Sequence, residues 1–164
     1  MKHNRQELYK PELFLTTIEK IPQMQELVNF INKKIESGEI IRAKEDGTDV
    51  VFVILDNEKM QKVFKSIFDK LKIPHAKISY VYIHYCDLDG QFGVHTHDKP
   101  HAVYYLQVPM SCGHIYFPDF DDCDVVKPIE GKFLIIPEGI PHGISQHHNK
   151  TLRIAVTMQL ENLI

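Results

Sequence analysis

The sequence predicts one α+β domain that is mainly antiparallel β-structure. Three observations carry that prediction. The chain has 164 residues, a length that suits a single domain of about 100–200 residues. Residues 1–74 carry apolar stripes at helical spacing and read as a mostly helical support region. Residues 75–164 carry short apolar runs separated by turn dipeptides, the pattern of a sandwich or barrel.

The elements follow in chain order. Pro22 opens a helix, because its missing N–H is not needed in the first turn. Met24, Leu27, Val28, Ile31 and Ile35 then recur on one face, and Gly38 closes the run. Residues 49–55 are rich in β-branched side chains and predict a strand. Asp56 or Asn57 caps a second helix with the stripe Met60, Val63, Phe64, Ile67, Phe68 and Leu71, ending before Pro74. Residues 78–85 alternate Tyr80, Tyr82 and His84 against Val81, Ile83 and Tyr85. Further strands are predicted at 102–108, 114–117, 124–127, 132–136, 142–145 and 152–160. Asp89-Gly90, Pro118-Asp119, Glu130-Gly131 and His148-Asn149 supply turns between them. The helices are expected to cover one outer face of the β unit.

Composition narrows the function classes. Hydrophobic residues at 43% and charged residues at 25% exclude disorder as the main state. A net charge of −3 offers no basic surface for a nucleic-acid backbone. No apolar run approaches the roughly 20 residues of a membrane span. Met1-Lys2-His3-Asn4-Arg5 has no apolar signal core, so a cytoplasmic location is expected. Cys86, Cys112 and Cys123 are odd in number and form no Cys-x-x-Cys pair, which fits reduced thiols better than a disulfide framework or thiolate zinc site. Histidine stands out: ten residues, most of them between His84 and His148. Histidine is the commonest metal ligand.

Three features carry chemistry. The first is Gly93-Val94-His95-Thr96-His97-Asp98. Two histidines at i and i+2 on a strand project to one face, so strand geometry through Thr96 turns His95 and His97 to one metal. The second is Gly131-x5-Pro137-x-Gly139-x-x-His142, which puts His142 at a rim where a new strand begins and makes it the natural third ligand. Such a set leaves open positions at a metal, as in non-haem iron sites. Asp98 replaces His97 if the loop turns there, and His101 is a further candidate. His147 and His148 read as surface loop residues, and His84 and His114 as wall or surface residues. The third feature is Arg153, which shares a strand face with Ala155, Thr157 and Gln159 while Leu152, Ile154, Val156, Met158 and Leu160 share the other. An arginine facing into a barrel needs an anionic partner, and a ligand carboxylate supplies one through a bidentate pair.

Residues 78–160 resemble the Fe(II)/2-oxoglutarate-dependent dioxygenases, and within them the prolyl-hydroxylase-like branch. The resemblance rests on Tyr82-Ile83-His84-Tyr85, Gly90 and His95-Thr96-His97, on Val103-Tyr104-Tyr105-Leu106, on Gly113-His114-Ile115-Tyr116-Phe117-Pro118, on the run from Phe133 to Pro141-His142, and on Arg153-Ile154-Ala155-Val156. It implies a double-stranded β-helix, or jelly roll, with N-terminal supporting helices. It further implies an oxygenase that holds Fe(II) on His95, His97 and His142. Arg153 then pairs with the distal carboxylate of the cosubstrate 2-oxoglutarate, with Tyr85 and Tyr105 nearby, and dioxygen and a small-molecule or peptide substrate complete the reaction. His97 stands where the family's usual motif has aspartate, so the metal carries three neutral ligands and more positive charge. The second cupin motif is similar to Gly131–His142 as well, and implies a three-histidine metal enzyme without 2-oxoglutarate, in which Arg153 has no assigned task. The acidic run Asp119, Asp121, Asp122 and Asp124 reads as a solvated turn that would suit a cationic substrate.

Overall fold

β-Branched and aromatic residues fill the second half of the chain, and there they pair as strands. In a computed structural model of the chain, residues 14–17, 22–38, 50–54, 69, 78–120 and 125–161 are described. The elements are β1 (Phe14–Thr17), α1 (Pro22–Glu36), β2 (Val50–Ile54), β3 (Ile78–Cys86), β4 (Phe92–His95), β5 (His101–Gln107), β6 (Ile115–Tyr116), β7 (Val125–Val126), β8 (Lys132–Ile136), β9 (His142–Ile144) and β10 (Arg153–Leu160).

The strands form two antiparallel sheets, one ordered β1-β8-β5-β10-β3-β2 and the other β4-β9-β6-β7. From β3 onward the chain crosses repeatedly between them, which winds a jelly roll. β10 is central in the large sheet, paired with β3 on one side and β5 on the other. Its Ile154, Val156, Met158 and Leu160 are fully buried, as alternation on a central strand requires. The core between the sheets includes Val103, Tyr105, Ile115, Phe117, Leu134, Ile136 and Ala155. Full burial of each larger apolar side chain is worth about 1.5–3 kcal/mol. α1 packs against β5 and buries Val28 and Ile31.

The N-terminal region departs from the sequence expectation. β2 falls where a strand is expected at 49–55, but β1 is unexpected, and the two form the edges of the large sheet. β1 is four residues long, too short to register as a periodic pattern. α1 starts at Pro22 as expected, and Gly38, at φ +72°, takes the left-handed conformation that ends a helix. The second expected helix lies outside the described residues, Asp69 excepted.

Candidate functional site

Cross-strand pairing brings the first two histidines together. β4 and β9 are antiparallel neighbours, and His95 stands directly opposite His142. β4 ends at His95, so His97 does not reach the cluster by strand alternation. It comes from the following loop, which a bond from Gly139 N–H to His97 C=O (2.9 Å) ties to the Pro137–Gly139 turn. Gly139, at φ +73°, permits that turn. Gly143, beside His142, has no room for a side chain: a Cβ there would lie 2.6 Å from the Tyr116 hydroxyl.

The result is a three-imidazole donor set. Ligand nitrogens of His95, His97 and His142 all lie within 4.8 Å of one another. The Nε2 atoms of His95 and His97 are 3.1 Å apart. Two of the rings are held in the same way, with Nδ1 bonded to the backbone carbonyl two residues earlier: His95 to Gly93 (2.9 Å) and His142 to Ile140 (2.9 Å). A carbonyl only accepts, so Nδ1 carries the proton and each Nε2 offers a lone pair. Burial, joined by neighbouring histidines, pushes His97 down to about 3. Burial likewise lowers His142 to about 4, with the Ile140 bond opposing. Both rings are therefore neutral at pH 7, the form a metal requires. His101 stands behind this set: its ring stacks on His97 at 3.7 Å and its Nδ1 bonds Lys99 C=O at 2.8 Å. Asp98 is exposed and outside the cluster.

Arg153 is only 1% exposed, and none of the described residues forms an ion pair with it. Its Nη1 donates to His84 Nδ1 at 3.3 Å. Its guanidinium lies 5.1 Å from the Tyr105 ring centre, a cation–π contact. Its Nε–H is buried and has no hydrogen-bond partner among the described residues, and neither has the Tyr105 hydroxyl. Burial works against the charge, but Tyr105 and Cys86 beside it more than restore it. Burial also raises the Tyr105 hydroxyl, with Arg153 opposing.

One cavity of about 290 Å³ joins the two features. Its lining takes in His95, His97, His101 and His142 together with His84, Arg153, Ala155 and Thr157. Val103, Ile115, Ile136 and Ile144 supply apolar wall. Tyr105 does not line the cavity but lies against the guanidinium that does. Tyr85 is not brought to the site. It is paired with Ile154 on the face away from Arg153 and Ala155, and Tyr82 lines the cavity instead.

Of two further histidines, one matches its sequence reading and one does not. His84 is a wall residue, but one bonded to Arg153. His147 is not on the surface: it is completely buried and bonds Thr151 C=O through Nε2 at 2.9 Å. Its backbone is bonded in both directions to the Asp89–Gly90 turn, a long-range pairing that local patterning does not reveal. Asp121, Asp122 and Asp124 lie outside the described residues.

No family model and no curated protein matches this sequence. Solved structures match in fold. A Pseudomonas putida prolyl-4-hydroxylase is 14% identical, with a TM-score of 0.68 over 92% of each chain. The viral collagen prolyl hydroxylase of Paramecium bursaria Chlorella virus-1, solved as a 2OG complex, is 14% identical with a TM-score of 0.63, over 89% of this chain and 94% of that one. A Trichoplax adhaerens prolyl hydroxylase, solved with a hypoxia inducible factor peptide fragment, is 12% identical with a TM-score of 0.70, over 90% of this chain and 82% of that one. At such identities the likeness is one of fold, and this chain has the jelly-roll fold of those oxygenases.

Proposed function

We propose that the chain is a non-haem Fe(II)- and 2-oxoglutarate-dependent dioxygenase of the hydroxylase type. One observation carries the reading: a single cavity holds both an open three-histidine donor set and a buried guanidinium that no carboxylate among the described residues neutralises. A buried, unpaired cation is costly to maintain, and a ligand anion relieves that cost.

The residues fit the group. Imidazole nitrogens suit iron, and the Nδ1–H bonds of His95 and His142 leave Nε2 as the donor. His95, His97 and His142 would hold Fe(II), which supplies dioxygen activation with 2-oxoglutarate as the reductant. The other tasks belong to the chain. Arg153 binds the distal carboxylate of 2-oxoglutarate in a charge-assisted pair. Tyr105 supports the guanidinium from its ring face. The apolar wall lowers the local polarity around the guanidinium and so strengthens that pair. The prime substrate is a small molecule or a peptide. One fold neighbour was solved with a peptide, which supports the second choice for that class of fold.

A cupin-type three-histidine enzyme without 2-oxoglutarate uses the same histidines but leaves Arg153 without a task. Anaerobic titration with Fe(II) and 2-oxoglutarate separates the two. The dioxygenase reading expects the weak visible absorption of the iron–2-oxoglutarate chelate. Stoichiometric iron with no such band, and no affinity for 2-oxoglutarate, would leave the cupin reading.

A further inference from the structure

His84 sits where the function above has no use for it. It is 7% exposed, lines the same cavity, and stands on β3 opposite Ala155, beside the Arg153–Cys86 pair. It is not a member of the ligand cluster. Its contact with Arg153 fixes its chemistry. A guanidinium N–H only donates, so His84 Nδ1 accepts. Burial, then Arg153 and His95, hold the ring well below the ordinary histidine range, so it is neutral and its single proton is on Nε2. This is the opposite tautomer to His95 and His142, whose Nδ1 atoms face carbonyls. An edge-on contact with Phe92, 6.1 Å between centres at 86°, backs the ring.

The consequence falls on the guanidinium. An arginine has five N–H donors in a rigid planar fork. His84 occupies Nη1, and the guanidinium carbon lies over the Tyr105 ring. The Nε–H has no partner among the described residues. We propose that His84 is a positioning residue for anion recognition: by engaging Nη1 it fixes the rotation of the Arg153 fork and presents the Nε-bearing edge to a carboxylate. This rests on the reading of Arg153 as the distal-carboxylate anchor. It adds a specificity determinant, since an aligned fork rewards a dicarboxylate 2-oxo acid over one that ends in a methyl group.

The test uses Mn(II)-loaded protein and two ligands, 2-oxoglutarate and 2-oxobutyrate. Both carry a 2-oxo acid, but only the first has a distal carboxylate. Affinities are measured by calorimetry for the parent, His84→Phe, His84→Asn and His84→Gln. Asparagine places an acceptor where His84 Nδ1 stands, and glutamine reaches instead toward the Nε2 position. His84→Phe and His84→Gln should each weaken 2-oxoglutarate by about tenfold, the equivalent of 1.4 kcal/mol. They should leave Mn(II) and 2-oxobutyrate affinity unchanged. His84→Asn should stay within about threefold of the parent, a contrast between isosteres that a purely structural role would not produce. The Asn and Gln pair decides the matter if the phenylalanine variant does not fold. Equal preference for 2-oxoglutarate in the parent, Asn and Gln proteins overturns the role of His84 alone. A parent that does not distinguish the two acids overturns the Arg153 reading, and this inference with it.

Discussion

The two ends of the cavity are built in different ways. Arg153 stands at the start of the central strand of the six-stranded sheet, flanked by β3 and β5 and almost wholly buried. The three clustered histidines stand on the four-stranded sheet and its rim. There β4 has four residues and β9 three, and His97 has already left its strand. The difference follows from what each end must hold. A charge taken out of water must be held by preformed neighbours, and Arg153 has the His84 bond and the Tyr105 ring contact in place. A neutral imidazole needs only its ring plane fixed, and a carbonyl two residues back does this for His95 and His142. The Arg153 end is thus set by the large sheet, and the histidine end by local hydrogen bonds.

The largest effect should come from the metal end. His142→Ala or His95→Ala removes one of three donors and should abolish stoichiometric Fe(II) binding, read by metal content of the purified protein. Full iron content in either variant would dismantle the donor set. His97→Asp should retain iron, because a carboxylate oxygen also ligates it.

At the other end, Arg153→Ala should weaken 2-oxoglutarate by roughly 30-fold or more, since losing one partner of a desolvated charge pair costs about 2–5 kcal/mol. Iron affinity should hardly change. Lysine should restore only part, being a point charge without the planar fork. Equal losses of metal and cosubstrate in Arg153→Ala would mean the two ends are not separately built.

The pH dependence of stability sharpens the contrast. His97 and His142 titrate at about 3 and about 4, below the ordinary 6.5, and His84 and His101 are also lowered, all first by burial. Below pH 6.5 the unfolded chain therefore binds more protons than the folded one, so stability rises with pH. This contribution is complete above about pH 6.5 and is lost as pH falls toward 4. Melting temperature of the metal-free protein should drop across that window. A flat profile would contradict the burial of these rings.

The smallest effect belongs to the tyrosines. Tyr105→Phe keeps the ring that lies against the guanidinium and removes a hydroxyl outside the cavity lining, so 2-oxoglutarate affinity by calorimetry should fall by about twofold at most. Tyr85→Phe should leave that affinity unchanged, because Tyr85 is on the opposite face.

Much of this site was legible in the sequence. His95, His142 and Arg153 follow from the spacing of a turn, a strand and an alternating face, which are local quantities. The β10 alternation put Arg153, Ala155 and Thr157 on the cavity side, where they are found. His97 reaches the cluster by a different route: β4 stops one residue too early for alternation, and the Gly139–His97 bond that sets the loop joins positions far apart in sequence. Tyr85 was misplaced because the resemblance outweighed an alternation that already paired Tyr82 with His84 on the other face. His84 and His147 were undervalued for one reason: each is defined by a partner on a distant segment, Arg153 for the first and the Asp89–Gly90 turn for the second. Local pattern carries no information about such partners.

The central claim is that one ligand bridges the two ends, the metal at one and Arg153 at the other. Binding of 2-oxoglutarate to metal-free and Mn(II)-loaded protein tests it most directly. Bridging predicts that Mn(II) tightens 2-oxoglutarate at least tenfold and, by thermodynamic reciprocity, that 2-oxoglutarate tightens Mn(II) by the same factor. Affinity for 2-oxoglutarate that is unchanged by metal, or absent in both forms, would contradict it.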